Sequence, residues 1–192
     1  MRLSARSLLA LFLIGSGCGL VGDHAAVASG TTRYLDTGGF PSIWGSPIFF
    51  PPMVGLATAA LAELRLHLGD VRREGRWEDG LVAVASVLGM YVLTALFTDE
   101  STSAVTALLA CLAALVYARL GGGRPAVICG LVAAVAGPLA EILEAEAGVY
   151  EYTSNVDGLF GVGPWLVPLY FAFGVASARL GELFLQLDER RR

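Results

Sequence analysis

The 192-residue sequence contains no lysine, and all 13 of its basic residues are arginine, a bias that points to a GC-rich bacterial genome. Charge of either sign is scarce. Charged residues make up 16% of the chain, where a soluble domain carries about 25%, so there is too little polar surface to clothe a globule in water. Histidine is rarer still. His24 and His67 fall at opposite ends of apolar runs, which excludes a two-histidine metal or catalytic site. The three cysteines, Cys18, Cys111 and Cys129, all lie inside apolar runs. An odd number placed there excludes a disulfide framework and offers no metal cluster. Nothing in the sequence calls for a cofactor, and no nucleic-acid partner is expected.

What the chain has instead is long hydrophobic runs. Its residues are 55% hydrophobic and its mean hydropathy is +0.65. Six runs stand out, at Leu8–Ala26, Ile48–His67, Leu81–Phe97, Ser103–Ala118, Ala126–Ala145 and Phe160–Ala178. Each is near the roughly 20 residues that cross a bilayer as a helix. The expectation is an all-α fold: residues 1–192 form one integral membrane domain, a bundle of six transmembrane helices. The third and fourth runs are separated only by Thr98–Thr102, which reads as a tight helical hairpin.

Orientation follows from the arginines. Twelve of the 13 lie before the first run or at or after the ends of the second, fourth and sixth, and only Arg33 falls on the other side. Because arginine-rich loops stay in the cytoplasm, both termini are expected there, in a bacterial plasma membrane. The first run has a second reading, since a basic start, an apolar stretch and Ala26-Val27-Ala28 also fit a cleavable leader. Both readings leave the other runs in the same orientation.

Lipid tails are as apolar as leucine, so helices in a bilayer associate by close approach at small residues. Gly55 and Ala59, Gly130 and Ala134, Ala133 and Gly137, and Gly174 and Ala178 supply such pairs four residues apart. They predict a compact bundle and a homo-oligomer, with a trimer as one candidate. Trp44, Phe49, Phe50, Tyr150, Tyr152 and Trp165 sit near run ends, where aromatic rings anchor helices at the membrane interface. Glu63 and His67, four residues apart, read as a snorkelling pair at the cytoplasmic surface.

Chemistry-bearing residues are few. Ser16, between Gly15 and Gly17, has the small-residue setting of some intramembrane serine hydrolases but no histidine at its depth, and reads as a packing contact. Glu141 is different, because an ionisable group inside a span is expensive and marks a functional candidate. It follows Pro138, which removes a helix hydrogen bond and frees the carbonyl of Ala134. A carboxyl beside freed backbone groups can hold the polar head of a lipid. Tyr91, Thr94 and Tyr117 are nearly the only other polar groups in the cores of the third and fourth runs. The expected site is a cavity lined by the third, fourth and fifth helices and closed by the second. Two rival readings stand beside it. A substrate-capture subunit of a vitamin importer has this size, though the first run lacks the alanine-rich docking motif. A membrane-embedded lipid enzyme would use Ser16, His24 or Glu141.

From Gly148 to Glu182 the chain reads GVYEYTSNVDGLFGVGPWLVPLYFAFGVASARLGE. Gly148, Val149, Tyr150, Tyr152, Thr153, Ser154, Trp165, Leu166 and Pro168 resemble the end of the Insig (insulin-induced gene) family of membrane proteins. Phe49-Phe50-Pro51-Pro52 with Gly55, and the acidic Thr98–Thr102 link, are similar to the same family's second helix and hairpin. The resemblance covers most of residues 40–185. It implies a six-helix bundle with both termini cytoplasmic and a non-catalytic lipid sensor or regulator; eukaryotic members bind oxysterols and retain partners carrying sterol-sensing domains. In an ungapped alignment Ala104 replaces a family glutamine tied to the sterol pocket. Gly121 replaces an aspartate tied to partner regulation, and Tyr117 a tryptophan. Val87 and Leu108 keep the implied pocket wall apolar. These departures weigh against oxysterol itself and leave a diacylglycerol-like glycerolipid or a sterol-like isoprenoid as the implied ligand.

Overall fold

The computed structural model describes residues 2–72, 75–97, 100–152 and 158–191. Thr98 and Asp99 of the hairpin link, Thr153 and Ser154 of the loop motif, and Arg73 and Arg192 of the charge pattern lie outside the described residues. Six long helices carry the fold: α1 (Ala5–Ala28), α2 (Phe50–His67), α3 (Trp77–Leu96), α4 (Thr102–Leu120), α5 (Gly123–Glu146) and α6 (Leu166–Arg190). Four short strands join them: β1 (Thr32–Tyr34), β2 (Ser42–Ile43), β3 (Ser46–Pro47) and β4 (Tyr150–Tyr152).

Helix ends follow local chemistry. Ser4 caps α1 by accepting from the amide of Ser7 at 3.2 Å, and Ser101 caps α4 by accepting from Ala104 at 3.3 Å. Pro51 and Pro52 occupy the first turn of α2, where a missing amide donor costs little. Five of the helices are long and apolar enough to cross a membrane. The exception is α2, with 18 residues that include Glu63, Arg65 and His67. Outward-facing side chains of the bundle, Leu13, Leu56, Leu115 and Val135 among them, are apolar and exposed. Such a surface is unfavourable in water and matched to hydrocarbon.

Helix α6 is the axis of the bundle and touches all five other helices. Small residues permit this. A Cβ on Gly174 would stand 2.3 Å from the carbonyl oxygen of Cys129 on α5. The α1–α2 crossing is equally tight, since a Cβ on Gly55 would stand 2.5 Å from the carbonyl oxygen of Phe12. Ser16 belongs to this crossing, its hydroxyl lying against Gly55.

Helix α6 differs from its expected run. It starts at Leu166, because Gly158–Pro164 forms turns and a bridge between Leu159 and Val162, and it continues past Ala178 to Arg190. The extension is held by ions. Glu182 on α6, fully buried, takes Arg65 of α2 at 2.6 Å, Arg179 at 2.9 Å and Arg72 at 3.2 Å. Arg179 also reaches Asp79 of α3 at 2.6 Å, and Asp79 takes Arg119 of α4 at 3.0 Å. Four helices and the segment before α3 thus meet in one charged knot. At the same end Asp188 accepts from the Ser4 amide, Ser4 Oγ and Ser7 Oγ, each at 2.8 Å, so both termini sit at one end of the bundle. Glu63 and His67 do not pair through their side chains. The Glu63 carboxylate accepts from the Leu3 amide at 2.9 Å, while His67 Nδ1 lies 2.8 Å from the Glu63 carbonyl.

The opposite end carries the strands. Strands β1 and β4 pair antiparallel with Thr32 opposite Tyr152, Arg33 opposite Glu151 and Tyr34 opposite Tyr150. Strands β2 and β3 form a hairpin around Trp44 and Gly45, both with positive φ.

Candidate functional site

Helix α5 brings Glu141 to the strand end of the bundle, three residues beyond Pro138. The residue is 7% exposed, so it does not reach the interface as an isolated charge. Three tyrosine hydroxyls meet its carboxylate instead. Tyr170 of α6 donates to Oε1 at 2.6 Å, while Tyr152 and Tyr150 of β4 donate to Oε2 at 2.7 and 3.0 Å. Burial, then the adjacent carboxylate, pushes the Tyr150 and Tyr152 hydroxyls well above the usual tyrosine range, so they remain neutral donors. A neighbouring pair repeats the theme: Tyr34 of β1 donates to both oxygens of buried Asp23 on α1, at 3.1 Å each.

Beneath Glu141 lies a cavity of about 370 Å³ between α1, α2, α3, α5 and α6. Its walls are almost wholly apolar, with Val54, Val87, Leu88, Val132, Leu169 and Phe173 prominent. Polar groups gather at one end, where Tyr91, Glu141, Glu144 and Tyr170 line it. The other end is closed by the cluster of Leu61, Cys129, Ala133 and Ala178. Met53, Ala57 and Ala60 on α2 and Val132, Ala136 and Ala140 on α5 line the cavity and are exposed, so its mouth opens sideways between α2 and α5. An apolar slot with a polar end and a lateral mouth suits an amphipathic guest from the bilayer.

The structure places the sequence candidates unevenly. Tyr91, Val87 and Glu141 line the cavity. Thr94 lies just beyond it, its hydroxyl donating to the Tyr91 carbonyl at 2.6 Å. Pro138 is buried in α5 between the lining residues Gly137 and Ala140 without lining the cavity itself. Tyr117 and Leu108 lie elsewhere. No α4 residue lines the cavity, because α6 stands in the place expected of α4, and Tyr117 packs edge-on against Phe171 of α6. Tyr150 and Trp165, expected at the membrane interface, are buried, whereas Trp44 fits that reading at 62% exposure.

No family model matches the chain. A curated protein described as an INSIG protein homolog, from Mycolicibacterium vanbaalenii, is 49% identical over 183 residues, covering 95% of this chain and 89% of the relative. The chain belongs to the Insig family. The crystal structure of the mycobacterial Insig homolog MvINS matches with a TM-score of 0.93 at 48% identity, over 97% of each chain. A cross-linked trimer of an MvINS variant matches equally well, with the same coverage. Insig proteins are membrane proteins of a regulatory, non-catalytic kind. In this Insig chain Ser16 packs at the α1–α2 crossing, its hydroxyl without a hydrogen-bond partner among the described residues, and His24 Nδ1 lies 2.8 Å from the Trp44 carbonyl.

Sequence reasoning missed Tyr150, Tyr152 and Tyr170 as partners of Glu141, and Tyr34 as the partner of Asp23. A signal was present. In Tyr150-Glu151-Tyr152 the period of two puts both rings on one side of a strand and the carboxylate on the other. Glu151 indeed turns outward to pair with Arg33.

Proposed function

We propose that this Insig-family chain is a six-span protein of the bacterial plasma membrane, with both termini cytoplasmic, that binds a lipid without transforming it. The proposed guest is a glycerolipid of the diacylglycerol kind or a sterol- or isoprenoid-like lipid. Its small polar head lies by Tyr91, Glu141 and Glu144, and its tails run along the α2 and α5 walls to the mouth. Such binding makes the chain a lipid sensor or regulator. The observation that carries this reading is the apolar cavity with a single carboxylate-and-tyrosine end. Its volume of about 370 Å³ lies within the roughly 300–1,000 Å³ typical of ligand pockets. The trimer described for MvINS supports self-association of this chain as well.

Native mass spectrometry and organic extraction of the protein purified in mild detergent test the idea. A stoichiometric lipid is expected. Ala136→Trp, which fills the mouth, should lose most of it, while Leu139→Trp, on the exposed outer face of α5, should retain it. Equal lipid in the two variants, or none in the parent protein, would refute the reading.

A further inference from the structure

A second, much smaller chamber of about 20 Å³ adjoins the cavity at the strand end. Its walls combine two carboxylates, Asp23 and Glu141, with the hydroxyl-bearing residues Tyr34, Tyr91, Tyr150 and Thr32. Both carboxyl groups are buried, and tyrosine hydroxyls donate hydrogen bonds to them. Neither basic group next in sequence to a chamber residue makes an ion pair with these carboxyls among the described residues: Arg33 pairs with Glu151, and His24 Nδ1 lies on the Trp44 carbonyl. Two buried carboxyl groups without a basic partner are each neutralised by a proton or by a cation, and one of each balances this pair. A second observation points into the same space. Thr32 lines the chamber and is 8% exposed, and its hydroxyl oxygen has no hydrogen-bond partner among the described residues.

We propose that this chamber binds one small monovalent cation, with sodium as its occupant, held by carboxylate oxygens of Asp23 and Glu141 and the Thr32 hydroxyl. Size and chemistry select it. The volume exceeds the roughly 10–15 Å³ that one water-sized occupant needs and leaves no room for the waters that would complete the six to eight oxygen ligands of a calcium ion. All donors are oxygens, and no cluster of three histidine, cysteine, aspartate or glutamate side chains occurs among the described residues, which disfavours a transition metal. The site joins α1, α5 and β1, so an occupant would tie the strand end to the bundle. The proposal shares Glu141 with the lipid reading but is not the same site, because Asp23 and Thr32 do not line the larger cavity.

The test is thermal unfolding of the purified protein in detergent, titrated with sodium chloride against choline chloride at constant ionic strength, with radiolabelled sodium binding alongside. Saturating sodium should raise Tm on the order of 5 °C over choline. Asp23→Asn, which keeps an acceptor for Tyr34, should abolish the rise. Thr32→Val, nearly isosteric, should weaken sodium binding severalfold while the protein still folds, and it decides the matter where Asp23→Asn does not fold. Equal Tm in sodium and choline, a full sodium response in either variant, or a larger rise with calcium than with sodium would overturn the assignment. Lipid content measured in the same samples separates the two readings, since loss of lipid with an intact sodium response counts against the lipid reading alone.

Discussion

Tyr152, on a three-residue strand, donates a 2.7 Å hydrogen bond to the carboxylate of Glu141, 11 residues earlier on α5. The bond folds the α5–β4 connection back over the bundle. It also converts a carboxylate inside an apolar helix from a liability into an anchor for three hydroxyls. Removing Glu141 therefore strands three donors at once. Hydrogen bonds to charged groups contribute about 1.5–3 kcal/mol in water-soluble proteins, and interhelical ones in bilayers about 1–2 kcal/mol. Glu141→Ala should cost more than any single Tyr→Phe change at 150, 152 or 170. Thermal unfolding in detergent checks the order, and a Glu141→Ala variant as stable as the parent would show the cluster to be decorative.

Gly174 and Gly17 make a matched pair. Each sits within a helix, but a Cβ on Gly174 meets the backbone of Cys129 and Gly130, while one on Gly17 meets nothing within 4 Å. Gly174→Ala must push α5 and α6 apart, and should sharply reduce the yield of monodisperse protein. Gly17→Ala gains helix propensity, about 0.5–1 kcal/mol, and should be neutral or stabilising. Size-exclusion profiles of the two variants decide it, and equal behaviour would contradict the close crossing.

The charged knot at the termini end predicts a steep difference between two glutamates. Glu182→Gln leaves Arg65, whose side chain is 2% exposed, buried without its counter-ion. Breaking one partner of a buried pair costs about 3–5 kcal/mol. Glu78 pairs with Arg76 in the open, and such exposed pairs contribute about 0–1 kcal/mol. Glu78→Gln should thus leave Tm nearly unchanged while Glu182→Gln lowers it strongly. Replacing Arg65 and Glu182 together by methionine should recover much of the loss, which a purely local packing defect at residue 182 would not allow.

The helices were legible in the sequence because hydrocarbon imposes a long, uninterrupted apolar pattern that any reading of hydropathy detects. The resemblance around Gly148–Glu182 carried the family. The centre of the bundle was not legible. Helix α6 holds Arg179 and Glu182, which look like the end of a span until Arg65 and Asp79 are seen to meet them from other helices. Pairings of that kind depend on contacts 100 or more residues apart, which a local pattern does not contain. For the same reason the cavity was drawn against α4 rather than α6, and Tyr117 and Leu108 were placed on its wall. Glu141 was found by depth alone, while its tyrosines were hidden by the ordinary use of tyrosine at membrane interfaces.

Both termini share one end of the bundle, and among the described residues Arg33 is the sole arginine on the strand side. Orientation in the membrane then turns on a single comparison. On charge asymmetry the arginine-rich end is the one expected in the cytoplasm. In a background with Cys18, Cys111 and Cys129 replaced, Trp44→Cys lies on the exposed strand-end hairpin and Arg190→Cys at the tail of α6. A membrane-impermeant maleimide added to intact cells should label the first and spare the second until the cells are opened. Labelling of the Arg190 variant in intact cells would invert the topology. The lateral mouth would remain between α2 and α5, but the tyrosine end of the cavity would then face the cytoplasm, and sodium for the small chamber would have to come from inside.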